Sequence, residues 1–281
     1  MNRRWYLFFL LMSSAFLFNL CEKPQPTVQK WHTDYSQLIQ EAQKNQKPIV
    51  LKFYTDWCVW CKKLDSVTLQ DSAVKEYLTG FNLGSFNAEK DTALAHRYGI
   101  IAFPTVVICN YQGQEIDRIH YEEPANFIQV IQGYFDNKGT LDAMLTAEKE
   151  RPDSAQLLFD IADKYTYRNQ RDVAQTYYEK IIQIDSANQL KLKEQSVFQI
   201  AYIYRKNKEY DTAIAYFQKF MEQFPQSEQA SDAYYYIGSL TADKGDSVQA
   251  LVLLKDWLKR YPDSPDTVYI RDKIAKLSQG E

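Results

Sequence analysis

Glycine and proline are scarce: nine of each stand in 281 residues, about half the usual share. That excludes a collagen-like chain and predicts few turns and a predominance of helix. Cysteine is scarce too. Four residues are too few for a disulfide-built scaffold of this length. Neither charge sign dominates; the formal net charge is −3, so no pull toward nucleic acid is expected. A 45% hydrophobic and 25% charged composition excludes a disordered or polytopic membrane chain. Aromatic residues, by contrast, are abundant, with 21 Tyr, 15 Phe and 5 Trp. The length suggests about two domains.

Arg3 and Arg4 precede an apolar run from Trp5 to Phe18, broken only by Ser13 and Ser14. A basic start before a short apolar stretch predicts an export segment over 1–21, shorter than a comfortable membrane span. Cys21 follows and opens the polar, proline-containing stretch Cys21-Glu22-Lys23-Pro24-Gln25-Pro26. This resembles a bacterial lipoprotein, whose first mature residue is a lipid-carrying Cys, although Asn19 and Leu20 stand where that pattern has small residues. The resemblance makes Cys21 a candidate lipidation site and implies a lipid anchor on the periplasmic side of a membrane. Residues 22–30 read as a tether.

Beyond it, Tyr35, Leu38, Ile39 and Ala42 share one helical face, with Asp34 and Gln37 spaced as a capping box. Ile49–Tyr54 and Thr105–Cys109 read as buried strands, 81–86 and 115–120 as further strands. Helices are predicted over 58–69, 72–78, 92–98 and 125–135. Strands alternating with helices before a final hairpin describe an α/β domain over 31–140.

The chemistry concentrates in Phe53-Tyr54-Thr55-Asp56-Trp57-Cys58-Val59-Trp60-Cys61-Lys62. Two cysteines, two residues apart, follow a buried strand and start a helix. Free N–H groups and the helix dipole there stabilise a thiolate. Cys58 is thus expected as the exposed nucleophile, and Cys61, one turn in and more shielded, as the resolving thiol. Lys62 and Lys63 add positive charge. Half a zinc site is the competing reading, but zinc takes four ligands. No second such pair exists, and His32, His96 and His120 are scattered, so no metal and no cofactor are expected. A structural disulfide is a further alternative. Cys109, inside an apolar strand, reads as a small buried hydrophobe rather than a third redox partner. Asp56 reads as a solvated acid.

This segment resembles the thioredoxin-fold oxidoreductases, above all the C-terminal periplasmic domain of the thiol:disulfide interchange reductases, over roughly 47–135. The resemblance implies a cis Pro104 facing the disulfide, with the Phe103 backbone pairing with substrate and Trp57 completing an apolar rim. It also marks two departures. Lys52 stands where many relatives bury an acid behind the second Cys, so it either tunes the thiolates electrostatically or snorkels away. The inner dipeptide is Val59-Trp60 rather than Gly-Pro, so thioredoxin's potential is not transferable.

From about Asp153 the pattern is continuous helix with an internal repeat. Ala162, Tyr165, Ala174, Tyr178 and Ser186 align with Ala201, Tyr204, Ala213, Phe217 and Pro225. They align again with Gly238, Thr241, Ala250, Leu254 and Pro262, at offsets of 39 and 37 residues. This resembles the tetratricopeptide repeat, with units at 155–188, 194–227 and 231–264 and a capping helix at 265–278 inside a segment 153–281. The Tyr234-Tyr235-Tyr236 run reads mostly as repeat packing. The runs Glu148–Arg151 and Arg205–Glu209 read as solvated turns.

The expected architecture is an α/β thioredoxin fold, a central mixed sheet with flanking helices, followed by an all-α tetratricopeptide-repeat solenoid. The expected function is an exported thiol–disulfide oxidoreductase that reduces protein disulfides. It would act on protein disulfides or thiols, be recharged by an upstream redox partner, and bind a protein or peptide ligand through its repeats. The repeats are expected to be dispensable for turnover of a small disulfide. The alternative is an interaction protein whose thioredoxin-like domain is mainly a binding platform.

Overall fold

The computed structural model describes residues 30–279. The expected export segment, Cys21 and all but the last residue of the tether lie outside the described residues.

The sheet is built from β1 (Trp31–His32), β2 (Ile49–Tyr54), β3 (Asn82–Asn87), β4 (Thr105–Cys109) and β5 (Glu115–Ile119), in the order β1-β3-β2-β4-β5. β3 runs parallel to both β1 and β2, whereas β4 is antiparallel to β2 and β5 to β4. β2 lies at the centre, which is why its apolar run is covered on both faces. Val50 joins Val106, Ile108, Leu64 and Phe127 on one side, while Ile49, Leu51 and Phe53 join Leu38, Phe86 and Val107 on the other.

Helices α1 (Tyr35–Asn45), α2 (Val59–Lys63), α3 (Ser72–Leu78), α4 (Thr92–Arg97) and α5 (Pro124–Phe135) flank the sheet. Asp34 caps α1 by accepting from the N–H groups of Ser36 and Gln37, and Asp71 caps α3 in the same way. α1 packs closely because Gly84 has no side chain; a Cβ there would lie 2.6 Å from Leu38 Cδ2. The helix predicted over 58–69 is α2 continued by a π-helical turn, Leu64–Thr68.

Two elements differ from the sequence expectation. β1 has only two residues, too few for an alternation pattern. Glu148–Glu150 form the last turn of a helix, α6 (Leu141–Glu150), capped by Thr140, rather than a solvated turn. None of the residues of α6 is buried, so its apolar periodicity is weak.

Seven helices follow: α7 (Ala155–Tyr167), α8 (Arg171–Ile184), α9 (Leu192–Lys206), α10 (Tyr210–Gln223), α11 (Ala230–Asp243), α12 (Ser247–Arg260) and α13 (Thr267–Gln279). Each packs on the next. The small residues of the repeat pattern sit at the crossings: Ala162, Ala174, Ala201, Ala213 and Ala250 are fully buried. A Cβ on Gly238 would come within 3.0 Å of Leu254. On the face shared by α9, α11 and α13, Tyr202, Tyr236, Tyr235 and Tyr269 form a chain of ring contacts, with the Arg205 guanidinium over the rings of Tyr202 and Tyr236.

The repeat helices join the sheet through buried charge. The Asp117 carboxylate on β5 is fully buried. It meets Lys164 Nζ at 2.9 Å and Arg168 Nη2 at 2.8 Å, and accepts from the N–H of Leu141. Arg168 also reaches Glu115, and Arg118 donates to the carbonyls of Tyr167 and Tyr98.

Candidate active site

β2 ends at Tyr54 and α2 begins at Val59, so the intervening turn delivers Cys58 to the helix N-cap. The Cys61 N–H donates to Cys58 Sγ at 2.9 Å, and the Cys58 carbonyl accepts from Lys62 N–H. One of the unpaired donors of the first helical turn therefore points at this sulfur, the position that stabilises a thiolate. The two cysteines are joined as a disulfide, with Cα atoms 5.2 Å apart.

Cys58 was expected to be exposed and is not: it is 4% accessible and Cys61 2%. In the disulfide each sulfur covers the other, and the capping position rather than exposure distinguishes Cys58. The flanks are open instead. Trp57, Val59 and Trp60 are 64%, 74% and 55% exposed, an apolar collar around a nearly covered disulfide.

The Phe103–Pro104 peptide bond is cis, and the neighbouring Thr105 pairs with Phe53 across the sheet. The Phe103 ring meets the edge of Trp57 at 6.0 Å, and the Trp57 indole N–H donates to Glu89. Among the described residues none hydrogen-bonds the Phe103 backbone. An unpaired peptide edge thus lies beside the dithiol, the condition for adding an extended segment of another chain.

Lys52 is largely buried and does not stand alone. Its Nζ lies 2.5 Å from Asp65 Oδ1, and it sits over the rings of Trp31 and Tyr54. Asp65 comes from the π-helical turn just after Cys61, so its carboxylate matches the Lys52 charge. Cys109 is fully buried, and burial pushes its thiol up to about 12, leaving it protonated and unreactive at neutral pH. Asp56 is exposed, accepting from Asn87 and pairing with Lys90.

Of the further neighbours of the site, Tyr121, Glu123 and the placement of His120 against Pro104 carried no local sequence signal. Trp60 packs on Tyr121, and the Lys63 ammonium lies over both rings while pairing with Glu123. His120, just past β5, places Nδ1 3.0 Å from the Pro104 carbonyl oxygen. A carbonyl only accepts, so Nδ1 carries the proton and donates. Burial lowers the pKa of His120, the hydrogen bond to Pro104 partly opposes it, and the Arg118 charge acts with burial, leaving the pKa below its ordinary value; a neutral imidazole fits. Its Nε2 is buried without a partner. The ring packs against Tyr167 of α7, centroids 4.4 Å apart. Among the described residues, no group of three or more His, Cys, Asp or Glu is placed to hold a metal ion.

Residues 35–134 match the family model of the thioredoxin-like domain, and residues 195–227 that of the tetratricopeptide repeat. The chain thus carries a thioredoxin fold followed by repeat helices. Among curated proteins it resembles the thiol:disulfide interchange protein DsbD of Pasteurella multocida. The identity is 37% over 90 residues, 30% of this chain and 16% of that protein. The corresponding protein of Salmonella typhimurium is 38% identical over 79 residues, 26% of this chain and 14% of that one. The chain spans less than a fifth of the length of these two relatives. Among solved structures, the oxidised C-terminal domain of Neisseria meningitidis DsbD aligns with a TM-score of 0.34 and 23% identity. The alignment covers 37% of this chain and 99% of that one. DsbH oxidoreductase aligns at 0.34 and 24%, covering 38% and 84%.

Proposed function

We propose that the protein is an exported thiol–disulfide oxidoreductase that reduces disulfides in other proteins. The reading is carried by the Cys61 N–H aimed at Cys58 Sγ on the first turn of α2. In the reduced protein this donor and the helix dipole lower the cost of a Cys58 thiolate. The thiolate attacks one sulfur of a substrate disulfide. That bond breaks, the departing substrate sulfur takes up a proton, and a mixed disulfide remains. Cys61 then gives up its proton and attacks Cys58 Sγ, closing the 58–61 disulfide and releasing the second substrate thiol. Two electrons pass to the substrate, and an upstream dithiol protein must return them.

Trp57, Phe103 and Pro104 form the rim on which the substrate backbone lies, with the free Phe103 edge pairing to it. The Lys52–Asp65 pair behind Cys61 is a candidate for tuning the thiolates. Residues 1–21 direct export toward the periplasm, Cys21 takes a lipid anchor, and 22–30 tether the 31–140 domain. The repeat units 155–188, 194–227 and 231–264, closed by a capping helix at 265–278, recruit a protein partner through the tyrosine face around Arg205.

The test is a disulfide-reduction assay with trapping. Cys58→Ser is expected to abolish turnover, whereas Cys61→Ser accumulates mixed disulfides visible by non-reducing gel and mass spectrometry. Equal turnover in wild type and Cys58→Ser would remove this reading.

A further inference from the structure

The imidazole of His120 is held between the two parts of the molecule. On one side Nδ1–H donates to the carbonyl of Pro104, the residue that follows the free peptide edge at Phe103. On the other, the ring rests on Tyr167, the last residue of α7. Three further observations fix that second side. Arg118 donates to the Tyr167 carbonyl at 3.0 Å. Lys164 and Arg168, one turn before and one residue after Tyr167, pair with buried Asp117. A cavity of about 240 Å³ lies between β5 and α7, lined by Asp117, His120, Tyr134, Asp163, Lys164 and Tyr167. The ring therefore borders open space, with Tyr167 on the α7 side and, on the other, the Pro104 carbonyl and Thr105 Oγ1, 3.4 Å from Nδ1.

We propose that His120 is a positioning residue through which the docked repeat helix α7 holds the Phe103–Pro104 edge in the orientation that pairs with a polypeptide substrate. The inference rests on the oxidoreductase reading above and deepens it. The repeats would then serve the redox site directly, by stiffening the edge on which the substrate backbone lies. Small disulfides, which need only the sulfur and no backbone pairing, would not sense it. The effect belongs to substrate binding and not to the thiol exchange itself.

Single-turnover reactions of the reduced full chain separate these cases, using a disulfide-bonded model peptide and hydroxyethyl disulfide as the two oxidants. His120→Phe keeps a ring against Tyr167 but loses the bond to Pro104. It is expected to raise the half-saturating peptide concentration about three- to tenfold, the worth of one hydrogen bond, with the maximal rate unchanged. Tyr167→Ala, which removes the ring at a partly exposed position, is expected to do the same. His120→Asn places an amide N–H where Nδ1–H was and is expected to restore most of the affinity. The rate with hydroxyethyl disulfide stays at the wild-type value throughout. Unchanged peptide saturation in both His120→Phe and Tyr167→Ala would overturn the inference, as would parallel losses on both oxidants. Loss of the oxidoreductase reading itself shows differently, as activity surviving Cys58→Ser.

Discussion

At the scale of single residues, the site works by placing ordinary groups where their charge or proton matters. Cys58 and Cys109 are the same thiol in opposite settings: one accepts a helix N–H, the other is sealed in an apolar strand and held protonated. Lys52 shows how burial constrains a charge. The residue is 8% accessible, with Asp65 as its carboxylate. Asp65→Asn leaves that cation unmatched and is expected to cost about 1–3 kcal/mol in urea unfolding, the lower end if the new amide keeps a hydrogen bond. Lys52→Met removes the cation as well and is expected to cost less than about 1 kcal/mol. A larger loss in Lys52→Met than in Asp65→Asn would reverse this assignment. Lys52 stood out in the sequence because it occupies the position where many thioredoxin-fold relatives bury an acid. Asp65 did not stand out, since a carboxylate on a helix is most often solvated and nothing local says which way it turns.

At the scale of elements, most of the sheet was legible, because β2 and β4 are covered on both faces and read as continuous apolar runs. The reactive turn was legible for a related reason: two cysteines placed where a strand ends and a helix starts. Short or exposed elements were not. β1 has two residues, and α6 buries none of its side chains, so neither carries a periodic signal. The approach of α4 to α7 was equally hidden. It depends on Gly99, which has φ +58° and lies where a Cβ would stand 2.5 Å from the Arg168 carbonyl oxygen. Gly99→Ala meets both a left-handed backbone and a rigid backbone atom. It is expected to destabilise the full chain by about 1–3 kcal/mol, read as a lower thermal midpoint. An unchanged midpoint would mean that the end of α7 does not close on this turn.

At the scale of the whole molecule, the repeat helices and the sheet share one buried charge cluster, so a deletion of 153–281 bears on the stability of the α/β domain as well as on partner binding. Asp117 is fully buried, and its cations come from Lys164 and Arg168, 47 and 51 residues further along the chain. Deleting 153–281 removes both cations together with the α7 cover over this carboxylate and opens it to water, so what is lost is the sheet–helix contact and not the partner of a charge that stays buried. Two measurements check this. Asp117→Asn is expected to destabilise the full chain, whose Lys164 and Arg168 lose their carboxylate, and to change the truncated chain by less than about 1 kcal/mol in urea unfolding; equal losses in both would mean that the cluster does not join the two parts. Acid provides the second. Burial raises the Asp117 carboxyl pKa, but Arg168 and Lys164 together outweigh that and leave it below the ordinary value. A depressed folded-state pKa contributes stability above the unfolded value and loses it as pH falls through the folded one. Full-chain stability should therefore hold at neutral pH and drop below about pH 4, and Asp117→Asn should flatten that drop. None of this was visible locally, because residues so far apart in the chain each read as a solvated charge. The same strand has one more consequence. The outer β5 backbone at Arg118 is already engaged, its N–H by the Asp117 carboxylate and its carbonyl by the Tyr134 hydroxyl, and at the opposite margin β1 offers only two residues. Among the described residues, the β5 border is therefore closed at Arg118 to pairing with a second copy, by the same carboxylate that anchors the helical half.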